Sequence, residues 1–113
     1  SGAFHTPYME SATEGMKEIL SGMELGKAKM PVYANMTADI YPEDKEGIIE
    51  TVSKQASNPV QWSKTIEKMV AEGFDTFYEV GPGKTLTGLI KKIAPEVTVY
   101  NIENEEDLKN AGK

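Results

Sequence analysis

The sequence predicts an α/β fold in which three short strands are flanked by helices. Apolar residues recur at helical spacing in several segments, and three runs rich in Val, Ile, Tyr and Phe lie between them. These runs are residues 31–35, 74–80 and 97–102. Because helices separate successive strands, we expect parallel pairing with helices covering the sheet. Three parallel strands leave two open edges, which indicates that further strands belong to the same sheet.

The composition is that of a folded acidic domain. The chain has 113 residues, with 12 lysines, no arginine and 18 acidic residues, and a formal net charge of -6. This balance disfavours a protein that binds a nucleic-acid backbone. The absence of cysteine excludes disulfides and thiolate metal sites and is compatible with a reducing compartment, so we expect a cytoplasmic protein. No apolar run approaches the roughly 18 to 20 residues of a membrane span.

The first helix is predicted to begin just after Thr6. Thr6 is a favourable N-cap, and Pro7 suits the first helical position because its missing N–H has no intrahelical partner there. Apolar residues from Tyr8 to Met23 then recur on one helical face, which we expect to be buried, and Gly22 and Gly26 end the helix. The run 31–35 follows as a buried strand.

Two further helices are predicted before the second strand. Pro42 and the acidic residues after it open one helix, which should stop near Ser57. Asn58 and Pro59 are predicted to start the next helix as N-cap and first residue, and Gly73 to close it.

The last part of the chain alternates strand and helix. The helix after Lys84 should stop before Pro95, with apolar residues such as Leu86, Leu89 and Ile90 turned inward. After the third strand, Asn104 is predicted to cap a short final helix.

His5 is the single histidine and lies immediately before a predicted helix. Histidine exchanges protons near neutral pH, so His5 can act as a general base, although a surface or capping histidine fits the same position. A base also requires a nucleophile, and none of the six serines lies in a G-x-S-x-G turn.

Two other segments invite a binding interpretation. Residues 81–84 (Gly-Pro-Gly-Lys) join a strand to a helix, as anion-binding loops do, but a tight strand-to-helix turn explains them better. The acidic residues from Glu103 to Asp107 could face a cation, yet a solvated first helical turn is the simpler interpretation, and we predict no metal site.

Five segments together resemble the C-terminal part of bacterial malonyl-CoA:acyl carrier protein transacylases. They agree with that family in order and approximate spacing, and they extend over nearly the whole chain. The segments are 2–7 (Gly-Ala-Phe-His-Thr-Pro), 52–55 (Val-Ser-Lys-Gln), 58–62 (Asn-Pro-Val-Gln-Trp), 78–84 (Tyr-Glu-Val-Gly-Pro-Gly-Lys) and 86–91 (Leu-Thr-Gly-Leu-Ile-Lys).

The resemblance implies a function and three site residues. The family moves malonyl from coenzyme A to the thiol of acyl carrier protein through a serine ester, in fatty acid biosynthesis. His5 matches the general acid–base of the family, and Gln55 matches the residue whose backbone carbonyl accepts the histidine Nδ1–H. The side chain of Gln55 is not expected to matter for that role. Phe4 matches a position that accompanies preference for malonyl over bulkier acyl groups. Malonyl-CoA is a substrate, and no cofactor is implied.

The resemblance also implies what these residues lack. The family's serine nucleophile, oxyanion donors, malonate-binding arginine and ferredoxin-like subdomain correspond to no part of residues 1–113, which match only the C-terminal part of an α/β hydrolase-like large domain. We therefore expect the chain alone to be inactive. Its expected partners are acyl carrier protein, the remaining part of the enzyme, and a second copy pairing through an open sheet edge. The alternative is a non-catalytic interaction module that reuses the fold.

Overall fold

The computed structural model describes residues 5–111 and confirms an α/β fold. These residues fall into two compact units, one up to Thr65 and one from Ile66 onward. A short 3-10 helix, Pro7–Met9, opens the described chain. In chain order the other elements are α1 (Glu10–Ser21), β1 (Tyr33–Ala34), β2 (Asp39–Ile40), α2 (Lys45–Lys54), α3 (Trp62–Ala71), β3 (Thr76–Val80), α4 (Thr85–Ile93), β4 (Thr98–Ile102) and α5 (Glu105–Asn110).

In the first unit, α1 packs against α2. A buried hydrogen bond between the hydroxyls of Thr13 and Ser57, at 2.8 Å, ties α1 to the segment just after α2. The Asp44 carboxylate caps α2 by accepting from the Gly47 N–H at 2.8 Å, which satisfies a backbone donor that has no partner within the helix. This packing brings the loop before α1 to the end of α2.

The expected count of three strands is wrong for the described residues. Only Tyr33 and Ala34 of the run 31–35 form a strand, and they pair antiparallel with β2, which the sequence pattern did not indicate. A tight turn makes this pairing possible, because the Ala38 N–H donates to the Ala34 carbonyl at 3.0 Å and Ala38 adopts a φ of 53°. Local turn geometry therefore produces a hairpin in place of a crossover strand.

The predicted start of the third helix is also wrong. Asn58 and Pro59 precede α3, and the first α3 bond runs from the Thr65 N–H to the Gln61 carbonyl at 3.0 Å. Asn58 instead donates its side-chain amide to the Lys54 carbonyl at 2.8 Å, so it closes α2. The expected end at Gly73 agrees with the structure, since Gly73 follows α3 with a φ of 104°.

In the second unit, β3 and β4 form a two-stranded parallel sheet, as the crossover pattern predicted. Thr76 pairs with Thr98 and Val80 with Ile102, and the Tyr78 and Tyr100 rings stack with centroids 5.2 Å apart. Helix α4 contacts both strands, and α5 contacts β4. Asn104 caps α5 by accepting from the Asp107 N–H at 2.9 Å, as expected.

Several apolar residues that the periodicity turned inward remain partly exposed. Leu86 and Leu89 are each 40% exposed on α4, whereas Ile90 on the same helix is buried. On α1, Ile19 is 65% exposed, and the predicted burial of that helical face is wrong for this residue. Helical periodicity marks an apolar face but does not indicate whether these residues alone can cover it. Within residues 5–111, no helix combines the length and apolar character needed to cross a bilayer.

Candidate functional site

His5 has an unusual backbone conformation at the end of α2. Its φ of 65° lies in the left-handed region, which non-glycine residues rarely adopt because of steric strain. The His5 N–H donates to the Ala56 carbonyl at 2.8 Å. This bond offsets part of the strain and holds the exposed histidine against the residues that follow α2.

The His5 ring also forms a hydrogen bond with the end of helix α2. Nδ1 lies 2.7 Å from the Gln55 carbonyl oxygen. A carbonyl oxygen can only accept, so Nδ1 carries the proton, and Nε2 of the neutral ring keeps its lone pair. The arrangement can therefore present Nε2 as a proton acceptor toward a neighbouring group.

The Gln55 carbonyl is available to His5 because α2 ends there. In a continuing helix this carbonyl would accept from the backbone nitrogen of residue 59, four positions later. That residue is Pro59, which has no N–H. The proline thus prevents a competing helical bond, and Gln55 is the C-cap of α2.

The Gln55 side chain lies in a different direction from its carbonyl. Its Oε1 accepts from the Asn35 N–H at 3.2 Å, and its Nε2 donates to the Tyr41 hydroxyl. Asn35 immediately follows β1, and Tyr41 immediately follows β2. The oxygen and the nitrogen of the Gln55 side-chain amide therefore both contact the hairpin. Sequence reasoning missed Asn35 and Tyr41, because contacts across 20 and 14 residues leave no periodic signal.

Phe4, the third site residue expected from the resemblance, lies outside the described residues.

Side chains of the protein itself form hydrogen bonds with the backbone of loop 81–84. Gly81 and Gly83 have φ values of 135° and 88°, which account for the two glycines. The Glu103 carboxylate accepts from the Gly83 N–H at 2.5 Å, and the Asn101 amide donates to the Gly83 carbonyl at 2.7 Å. A tight strand-to-helix turn therefore explains this loop better than an anion site does.

The N-terminus of α4 is likewise occupied by a carboxylate. Glu79 accepts from the Thr87 hydroxyl at 2.7 Å, from the Thr87 N–H at 2.8 Å and from the Leu86 N–H at 3.3 Å. The Thr87 hydroxyl bond is the largest cause that lowers the pKa of Glu79 below its ordinary value of 4.5, and the two backbone bonds lower it further. Partial desolvation opposes these effects.

The Glu79 contacts predict a pH effect on stability. A lowered pKa means that the stabilisation is complete above the ordinary value of 4.5 and is lost as the pH falls through the lowered pKa. We expect the melting temperature of Glu79→Gln to fall less than that of the parent chain between about pH 6 and pH 3. Thermal unfolding followed by circular dichroism measures this slope.

Glu96→Gln is the matched control, because Glu96 is an exposed glutamate in the same unit. Its acid slope should equal that of the parent chain. An unchanged acid slope in Glu79→Gln would contradict the role given to the Thr87 bonds.

The acidic residues near α5 form hydrogen bonds and an ion pair with residues in and next to that helix. Asp107 accepts from the Glu103 N–H at 3.0 Å, and Glu105 pairs with Lys109 at 3.8 Å. In the described part of the chain, no group of three or more His, Cys, Asp or Glu side chains is arranged to hold a metal ion.

Comparisons with known proteins identify similar sequences and folds. No protein-family model matches the chain. The malonyl CoA-acyl carrier protein transacylase of Bacillus subtilis (strain 168) is 38% identical over 111 residues, which are 98% of this chain and 35% of that protein. The chain therefore spans about a third of the length of this relative.

Two solved structures match the fold closely. The malonyl CoA-acyl carrier protein transacylase from Clostridium perfringens superposes with a TM-score of 0.89 and 38% identity, over 97% of this chain and 34% of that one. A malonyl-transacylase in complex with its type II PKS acyl-carrier protein superposes with a TM-score of 0.91 and 30% identity, over 96% of this chain and 35% of that one.

Proposed function

We propose, from the premise that this chain belongs to the malonyl CoA-acyl carrier protein transacylase family, that it forms the C-terminal part of such an enzyme and carries its general acid–base histidine. The 2.7 Å bond from His5 Nδ1 to the Gln55 carbonyl supports this role most directly, because it leaves Nε2 free to accept a proton. The whole enzyme would transfer malonyl from coenzyme A to acyl carrier protein in cytoplasmic fatty acid biosynthesis.

The proposed reaction has two half-reactions that share one proton acceptor. Nε2 of His5 takes the proton of a serine hydroxyl as its oxygen attacks the malonyl thioester. The bond to sulfur breaks, and the imidazolium gives the proton to the departing coenzyme A thiolate. The carrier's thiol then loses its proton to Nε2 and attacks the serine ester, and that proton returns to the serine oxygen.

The Gln55 carbonyl suits both protonation states of the ring. It accepts the Nδ1–H of the neutral imidazole and of the imidazolium alike, so the ring keeps its orientation while Nε2 gains and loses a proton. A neutral carbonyl thus takes the orienting position that an aspartate occupies in a Ser-His-Asp triad. We assign Phe4 to the acyl pocket, where a ring would restrict space beside the malonyl α-carbon.

The remaining part of the enzyme must supply the other groups. None of the six serines lies in a G-x-S-x-G turn, and the 113 residues contain no arginine to pair with the malonate carboxylate. Without a nucleophile and oxyanion donors, covalent catalysis and electrostatic stabilisation are both lost. We therefore expect the chain alone to be inactive.

The test compares the isolated chain with a chimaera in which it replaces the matched third of the Bacillus subtilis transacylase. Both are mixed with malonyl-CoA and acyl carrier protein, and malonylated carrier is measured by mass spectrometry. We expect product from the chimaera and none above background from the chain alone. Turnover by the chain alone, or a folded chimaera that forms no malonyl-serine, would contradict the proposal.

A second candidate function is a non-catalytic interaction module, favoured by exposed apolar residues on β3. Tyr78 and Val80 are 48% and 77% exposed, and β3 and β4 are both edge strands of their sheet. Parallel sheets are usually covered on both faces, so this surface requires a partner, either the rest of the enzyme or a second copy. A concentration-dependent dimer by light scattering, combined with an inactive folded chimaera, would favour the module.

A further inference from the structure

We propose that the side chain of Gln55 and the hydroxyl of Tyr41 position His5, by holding the end of α2 against the β1–β2 hairpin so that the Gln55 carbonyl keeps the His5 ring in its Nδ1–H form. The catalytic consequence of this positioning rests on the proposed function. The effect on the ring itself does not, because it concerns the geometry of the chain.

Gln55 connects two parts of the first unit through different groups. Its backbone carbonyl accepts from His5 Nδ1, while its side-chain amide contacts Asn35 and Tyr41 of the hairpin. The amide has one orientation that satisfies both contacts. A flipped amide would place its NH2 group against the Asn35 N–H, which is also a donor.

The side chain of Gln55 contacts the hairpin at both of its ends. Asn35 directly follows β1 and Tyr41 directly follows β2, and the Tyr41 N–H donates to the Val32 carbonyl at 2.8 Å. Gln55 thus contacts the hairpin at two opposite places, Asn35 at the start of its turn and Tyr41 at its open end. The two strands of the hairpin are bonded to each other, so the two contacts of Gln55 join the end of α2 to a single element.

A support is needed because a helix end is the part of a helix that frays most readily. The Lys54 carbonyl accepts from the Ser57 N–H and the Asn58 amide, but Pro59 has no N–H to offer the carbonyl of Gln55. Hydrogen bonds weaken steeply with angle, so rotation of this carbonyl would release the ring. The ring could then adopt the Nε2–H form, in which Nε2 no longer accepts a proton.

The test uses the ring nitrogens of His5 as the reporter in the full 113-residue chain. His5 is the only histidine, so its ring signals in long-range ¹H–¹⁵N spectra need no further assignment. At a pH above the usual titration range of histidine, a fixed Nδ1–H form gives two widely separated ¹⁵N shifts. Exchange between the two neutral forms brings these shifts together.

Two variants remove the support in different ways. Gln55→Met keeps an unbranched side chain of similar length and removes both hairpin bonds. Tyr41→Phe removes only the hydroxyl, so it carries the test if Gln55→Met does not fold. We expect the fraction of the Nε2–H form to rise about two- to tenfold in Gln55→Met, which is the equilibrium change that corresponds to a typical net hydrogen bond, and less in Tyr41→Phe.

Gln61→Met is the matched control. The Gln61 amide also contacts the hairpin, because it donates to the Met36 carbonyl at 2.6 Å. The backbone of Gln61 bonds to Asn35 and Thr65, and the substitution leaves those backbone bonds in place. Its ring shifts should equal those of the parent chain. Equal shifts in Gln61→Met and Gln55→Met would overturn the proposal, and so would unchanged shifts in both Gln55→Met and Tyr41→Phe.

Activity in the chimaera separates this inference from the proposed function. We expect Gln55→Met to lower kcat about two- to tenfold with little change in the KM for malonyl-CoA, because ring orientation affects proton transfer and not substrate contacts. If His5 proves dispensable while the ring shifts still respond to Gln55→Met, only the proposed function fails. If His5 is essential and the ring shifts do not respond, only the positioning role fails.

Discussion

Replacing His5 with asparagine is expected to lower kcat/KM of the chimaeric transacylase by about 10²- to 10⁴-fold, the usual contribution of a positioned general acid–base. The loss should appear in both half-reactions, because in the proposed mechanism the same Nε2 exchanges a proton with serine, coenzyme A and the carrier's thiol. Rapid-quench measurement of malonyl-serine formation and of transfer to the carrier separates the two steps.

Asparagine is the informative replacement because of the backbone at His5. With a φ of 65°, position 5 requires a residue that tolerates the left-handed region, and asparagine does so better than alanine. The asparagine amide can also donate toward the Gln55 carbonyl, so the variant removes proton exchange and preserves the local contact.

The comparison with His5→Ala separates chemistry from folding. We expect His5→Asn to melt close to the parent chimaera and His5→Ala to melt lower, while both lose activity to a similar extent. A folded His5→Asn chimaera that retained activity within tenfold of the parent would show that His5 is not the acid–base.

Replacing Gly47 with alanine is expected to destabilise the chain by about 1–3 kcal/mol, the usual cost of forcing extra atoms into a packed site. A Cβ at this position would lie 2.6 Å from the Cβ of Pro42 and 2.9 Å from Oδ1 of Asp44. Asp44 caps α2 by accepting from the Gly47 N–H, so relief of the clash displaces the cap. Urea denaturation followed by circular dichroism measures the free energy of unfolding.

The opposite sign is expected at another helical glycine of the same unit. Gly15 lies within α1, and a Cβ built there would meet no heavy atom within 4 Å. Gly15→Ala should stabilise the chain by about 0.5–1 kcal/mol, since alanine is favoured over glycine inside helices. A stabilised Gly47→Ala variant would show that Pro42 and Asp44 move aside at no cost.

The Gly47 result also bears on the candidate site. Helix α2 begins at the Asp44 cap and ends at Gln55, whose carbonyl binds His5. A displaced cap can shorten the helix at its start without reaching its end, nearly three turns away. The His5 ring shifts of Gly47→Ala therefore indicate whether the two ends of α2 are coupled.

Local chemistry explains which parts of the fold were predictable. Periodicity placed the helices, Gly22 and Asn104 marked helix ends correctly, and β-branched runs placed β3 and β4 in a parallel pair. The same reasoning failed at the segment 31–35 and at Asn58. In the segment 31–35 the pairing with β2 decided the outcome. At Asn58 two local roles competed, and the side chain bonds back to the Lys54 carbonyl instead of capping the next helix.

The sequence by itself determined the kinds and order of most elements, because helix periodicity, caps and prolines act between residues a few positions apart. Its motifs also indicated the family and singled out His5 and Gln55 by resemblance. Only the tertiary structure decided that the Gln55 side chain bonds to the hairpin and that Glu79 and Glu103 accept from the backbone N–H groups around loop 81–84. Those bonds join residues 7 to 20 positions apart, and the bond from His5 to Gln55 spans 50. Such contacts depend on how elements pack, which local periodicity does not encode.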